Sequence, residues 1–273
     1  MRVKRILEND ASREVRANYE AIKTSFGLPR LPLFFTYFGA FPEYLDHITK
    51  QLVANIGDPR FVELCRDLSF NTKKQLKQAF PKSGELTEWL QKIRLSPSYY
   101  NFLSENEHIH MTNTKIAYIF IALREAIKGW GIAVKKLPGK TLEPTVYDDE
   151  EEFIYTDISV DYKPASEKEL AAAEKQPISS SIEVDLLPKY LSLCRNEYGL
   201  ILNRDEFWIM RVAAEKTILD TLPLFPHLIH SPINVVFKLM GNYPNYPDFL
   251  YLLSEHFPTY AVQRMMFSAY LLS

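Results

Sequence analysis

Two pairs of histidines, His108 with His110 and His227 with His230, have the residue type and close spacing from which metal sites are built. Neither pair lies in an HExxH or a cysteine-spaced pattern, and the expectation is therefore no metal and no cofactor. With nine glycines in the chain and no GxSxG, glycine-rich phosphate loop or GxGxxG, the backbone lacks the small residues that let a loop approach phosphates closely. The two cysteines, Cys65 and Cys194, each fall at an apolar position of a helical pattern. They read as reduced core thiols, with a disulfide or redox role as the other possibility, and the lack of CxxC removes paired-thiol peroxide chemistry. Two polar sites remain at the mouths of apolar stretches. Asn113 precedes one, as a helix cap or as a ligand contact; Asn203-Arg204-Asp205-Glu206 opens another and spells a helix start, with Asn203 as cap and acids facing the positive end of the dipole.

The elements that must carry these residues are helical. Val15, Tyr19, Ile22 and Phe26 line one face of a helix capped by Asp10 or Ser12. Phe34, Phe38, Phe41, Leu45, Ile48 and Leu52 alternate steps of four and three, although Pro42 must kink that helix or divide it. Further amphipathic stretches hold Phe61, Leu64, Cys65 and Leu68, then Leu86, Leu90 and Ile93. Residues 113–128 are apolar on every side from Ala117 to Leu123, as a central buried helix requires. Gly129, Gly131, Pro138 and Gly139 then break the pattern. They begin a linker with five consecutive acids from Asp148 to Glu152, a short surface helix in SEKELAAAEKQ, and the only strand-like alternation, FIYTDISVDY. Helical spacing restarts at Val184, Leu187, Leu191, Cys194 and Tyr198, with Gly199 where that helix should end.

The two halves align in order. Glu14-Val15 matches Glu183-Val184, and FLSE at 102–105 matches LLSE at 252–255, each followed by a last apolar helix. The expected architecture is all-α: two diverged helical repeats, 1–128 and 181–273, packed as a pseudo-dimer and joined by a long linker, 129–180. Six aromatic-proline pairs predict helices meeting at abrupt angles rather than a straight bundle.

The charge balance, 32 basic against 34 acidic side chains, offers no field to gather nucleic acid or an anionic membrane. The opening residues carry no apolar run of signal length, and no stretch approaches the roughly 18 apolar residues of a membrane span, so a cytoplasmic location is expected. Oligomeric state is not legible.

The stretch DASREVRANYEAIKTSFGLPRLPLFFTYFGAFPEYLDHI, the Asn113-Thr114-Lys115 entry to the buried helix and Gln263-Arg264 in the last helix together resemble the group I D,L-2-haloacid dehalogenases. The resemblance runs along nearly the whole chain, most weakly in the second repeat. It implies hydrolysis of a small 2-halocarboxylic acid by a water that an aspartate activates, in an apolar pocket between the repeats. The family aspartate follows a glycine by four residues, and counted from Gly199 that position is Asn203, an amide that cannot take a proton. A two-residue insertion gives the role to Asp205. The resemblance makes Asn113 a positioning donor and places Met265 and Met266 among the apolar walls. Where the family has a pocket aromatic, this chain has Arg30, which pairs with a substrate carboxylate if it points inward and lies in solvent otherwise. Two functions follow: a hydrolase acting on a small carboxylic acid, or a non-catalytic helical binding or interaction protein of the same fold.

Overall fold

The computed structural model describes the backbone of residues 3–135 and 186–273, and side chains over 3–127 and 186–273. The described residues are helical, with no strand among them. The acidic run Asp148 to Glu152, SEKELAAAEKQ and FIYTDISVDY lie outside them.

Local chemistry sets the helix ends. Ser12 caps α1 (Arg13–Phe26) by accepting from the Val15 N–H at 3.3 Å, and Gly27 ends it at φ 69°, in the left-handed region where a side chain is strained. Pro42 divides the aromatic stretch: α2 (Leu33–Thr36) and a 3-10 turn (Phe38–Ala40) precede α3 (Pro42–Ile56), which starts on the proline, whose missing N–H is harmless there. Asp58 caps α4 (Pro59–Ala79), and Ser83 caps α5 (Gly84–Ile93). The long α6 (Pro97–Lys135) follows.

α6 corrects two expectations. Asn113 is no cap, because it lies inside a helix that began sixteen residues earlier at Pro97. Gly129 and Gly131 do not break the helix, which runs on to Lys135. Each glycine costs about 1 kcal/mol against alanine, less than is needed to stop a helix already nucleated.

The second half comprises α7 (Leu187–Ile201), α8 (Asp205–Thr221), a 3-10 turn (Leu222–Leu224), α9 (Ile233–Asn242), α10 (Tyr246–Tyr251), a π-helical turn (Leu252–His256) and α11 (Phe257–Leu272). α7 passes Gly199 by two residues. Asn203 does not cap α8: Arg204 holds that position without a side-chain bond, while Asn203 Nδ2 donates back to the Gly199 carbonyl at 3.2 Å. Asp205 and Glu206 do occupy the first turn, facing the positive end of the helix dipole. Prolines 42, 247 and 258 each stand in the first turn of a helix.

α6 and α11 form the centre and run antiparallel, as the pairings Asn113–Ser268 and Phe120–Phe257 require. α4 packs on both, and α1 packs on α3. Every residue from Ile116 to Leu123 is buried, as is every residue from Ala261 to Leu271. One core joins the halves. Phe34 and Phe38 of the first half meet Phe257 and Phe249 of the second with centroids 5.5 and 5.2 Å apart, and Phe41 stacks on Phe249 at 4.1 Å. Gly39 is required by this packing, since a Cβ there would sit 2.1 Å from the Tyr19 hydroxyl, which donates to the carbonyls of Ile6 and Thr36.

A polar clasp adds to the join. Asn55 of α3 accepts from the His227 N–H at 3.2 Å and donates to its carbonyl at 2.7 Å. Gln51, one turn earlier, does the same to His230 at 2.7 and 3.2 Å. The Tyr44 hydroxyl meets Ser231 Oγ at 3.0 Å. One face of α3 thus satisfies the backbone of the stretch before α9, which no helix or sheet pairs. Among the described residues, no helix is long and apolar enough to cross a membrane.

Candidate functional site

Ser268 is the node of a polar seam between α6 and α11. Its hydroxyl donates toward the carbonyls of Arg264 and Met265, at 3.1 and 2.9 Å, so its lone pairs are left to accept. Asn113 Nδ2 reaches Ser268 Oγ at 3.2 Å and His110 Nδ1 reaches it at 2.9 Å, while Asn106 Nδ2 donates to the Ser268 carbonyl at 3.1 Å. The role of His110 Nδ1 in its contact with Ser268 is set by the imidazole tautomer, and backbone carbonyls of Ser69 and Met265 also face the ring.

Asn106, His110 and Asn113 recur at intervals of four and three, one face of α6, and each is 1% exposed. Asn106 Oδ1, His110 Nε2 and Asn113 Oδ1 are buried with no hydrogen-bond partner in acceptable geometry. The two Oδ1 atoms can only accept, and a buried acceptor without a donor costs about 1–3 kcal/mol, so two in one seam call for donors from outside the chain.

Arg264 supplies the positive charge. It is 1% exposed, lies one turn before Ser268 on α11, and places its guanidinium carbon 5.6 Å from the Phe34 ring centre. Burial lowers its pKa to about 9, which leaves it a cation at neutral pH. The His110 pKa falls to about 4 through burial, with Lys73 of α4 adding to the shift and the carbonyls of Ser69 and Met265 opposing it. The ring is neutral at pH 7. The seam therefore holds buried asparagine acceptors that a hydrogen-bond donor can answer, with the buried cation Arg264 one turn along α11 from Ser268.

Of the residues singled out in the sequence, Asn113 meets Ser268 Oγ through its side chain, and Met265 accepts from the same hydroxyl through its backbone carbonyl. Met266, the next residue on α11, is fully buried. Arg30 is exposed in the turn before α2. Asn203 and Asp205 are exposed between α7 and α8. The histidine pairs do not converge: His110 is in the seam and His227 and His230 are in the clasp. No group of three or more metal-binding side chains occurs among the described residues. Sequence reasoning missed Asn106, the place of His110 and the node Ser268. The signal for the first two was present, as polar residues at helical spacing running into a helix apolar on every side. Both cysteines are free and buried, and burial raises Cys65 to about 12 and Cys194 to about 11, as inert core thiols require.

No protein family, curated protein or solved structure matches this chain.

Proposed function

We propose that the protein binds a small 2-hydroxycarboxylic acid in the seam between α6 and α11 and does not hydrolyse a carbon-halide bond. The observation that carries this is the pair of buried acceptors, Asn106 Oδ1 and Asn113 Oδ1, on the face of α6 that meets α11, the helix that carries the buried cation Arg264. A hydroxyl donates to an acceptor that no protein group reaches, and the positive charge on α11 favours a carboxylate over a neutral group. Absence of turnover follows from where the acids lie. Asp205 stands in solvent at the start of α8, where water competes for it and no apolar wall shields a leaving halide.

The proposal includes descent from a two-repeat dehalogenase plan. Two features support it: the LSE motif of each half lies on a helix that continues into a central buried one, through α6 in the first and through the π turn into α11 in the second. The remaining expectations, a cytoplasmic location and no nucleic-acid partner, belong to the same proposal.

The test is thermal unfolding with lactate, acetate and chloride at equal ionic strength, beside a halide-release assay on D- and L-2-chloropropionate. Lactate at one hundred times its Kd should stabilise the wild type by about 2.7 kcal/mol. Acetate should do so less and chloride not at all, and Asn113→Ala should remove the effect. Equal responses to lactate and chloride would refute binding. Halide release by the wild type that disappears in Asp205→Asn would replace the proposal with a hydrolase.

A further inference from the structure

An opening lies outside the seam and shares no residue with it. Between α3 and α9 is a cavity of about 270 Å³ lined by Glu43, Tyr44, Val235, Lys238, Leu239 and Tyr243. Tyr44 and Leu239 are buried, Val235 and Tyr243 half-buried, and Glu43 and Lys238 exposed, which makes an apolar and aromatic interior with an acid and a base at its rim. The two charges come from different helices, Glu43 from the first turn of α3 and Lys238 from the middle of α9.

The walls are held in place. Tyr44 is fixed through Ser231 at the end of the clasp, Asn242 Nδ2 donates to Glu43 Oε2 at 3.3 Å, and Phe41 packs edge-on against Tyr243 with centroids 5.1 Å apart. The space is therefore set before any ligand arrives, which lowers the ordering cost of binding. Burial together with the carboxylates of Glu43 and Glu14 raises the Tyr243 pKa, so the field at that end is negative and favours a cation. The volume falls just below the roughly 300–1,000 Å³ of pockets for drug-sized ligands, and so suits a smaller molecule.

We propose that this cavity binds a free α-amino acid with an apolar side chain, its ammonium at Glu43, its carboxylate at Lys238 and its side chain among Tyr44, Val235, Leu239 and Tyr243. A ligand with one charge answers only one side of the rim. The zwitterion answers both, and the apolar interior selects a branched or aromatic side chain over a polar one.

Saturation-transfer NMR on the full chain, titrating L-leucine, 3-methylbutylamine and 4-methylpentanoate, tests it. The last two are leucine without its carboxylate and without its ammonium. Leucine should bind saturably with a Kd of about 1 mM or tighter, and each analogue about tenfold more weakly. Glu43→Gln should weaken leucine about tenfold but not affect 4-methylpentanoate at this site, and Lys238→Met should do the converse with the amine. Both positions are exposed, so the fold survives either change. Val235→Trp, which fills the cavity, should abolish binding of all three, whereas Asn113→Ala should change nothing for leucine. No saturable leucine signal up to about 10 mM, a decade above that Kd, overturns the proposal. So does leucine binding that Val235→Trp leaves unchanged, or that neither charge variant weakens.

Discussion

His110 gives the most direct test of the seam, because its protonation opposes folding over a pH range in which carboxylates contribute little. The ordinary histidine pKa of about 6.5 applies to the unfolded chain, whereas burial between α6 and α11 lowers it to about 4 in the fold. Between those values the unfolded chain binds the proton and the folded one does not. Stability is therefore full above pH 6.5, falls as the pH drops, and has lost the whole contribution once the pH reaches about 4. From pH 7 to pH 5 the linkage comes to about 2 kcal/mol for this one ring. His256, buried beside Tyr260 and likewise lowered to about 4, contributes a similar amount. Urea unfolding of wild type, His110→Asn and His256→Asn at pH 7, 6 and 5 measures this. Each single variant should lose about 2 kcal/mol less than wild type over that range, and the double variant about 4 less. Asparagine keeps a donor of similar reach toward Ser268, so the comparison concerns the proton rather than the missing side chain. A His110→Asn protein whose stability falls with pH as steeply as wild type would refute the placement of this ring in a dry seam.

Gly39→Ala should destabilise by about 1–3 kcal/mol, because the new methyl meets the Tyr19 hydroxyl at 2.1 Å. Adding Tyr19→Phe should cost less than the sum of the two changes, as a urea double-mutant cycle will show. Asn55→Ala removes both bonds to the His227 backbone, at 2.7 and 3.2 Å, and should cost about 2 kcal/mol. Hydrogen exchange should report the loss as faster exchange at His227, with α1 unaffected. Cys65 and Cys194 should react with a thiol reagent only at the rate of global unfolding, since both are buried and their pKa values are raised to about 12 and about 11. Fast labelling of either under native conditions would mean that its helix opens locally.

The sequence by itself determined the helices. Steps of three and four from Phe34 to Leu52 and from Leu187 to Tyr198 mark one face of each segment as buried, and the structure buries it. The cap just before α1, the break at Pro42 and the buried centre of α6 follow from local rules, because each depends on residues within a turn or two of one another. Only the tertiary structure decided the sites. The Asn113–Ser268 contact joins residues 155 positions apart, and the Asn55–His227 clasp joins residues 172 apart. Periodicity says which face of a helix leaves water, but not which other face it meets. For the same reason Asp205 and Arg30 could not be placed from the sequence: each sits at an element boundary, and the packing of neighbouring helices decides whether such a residue faces a pocket or solvent. Here it leaves both exposed, while Arg264, on a helix apolar all round, is carried into the core.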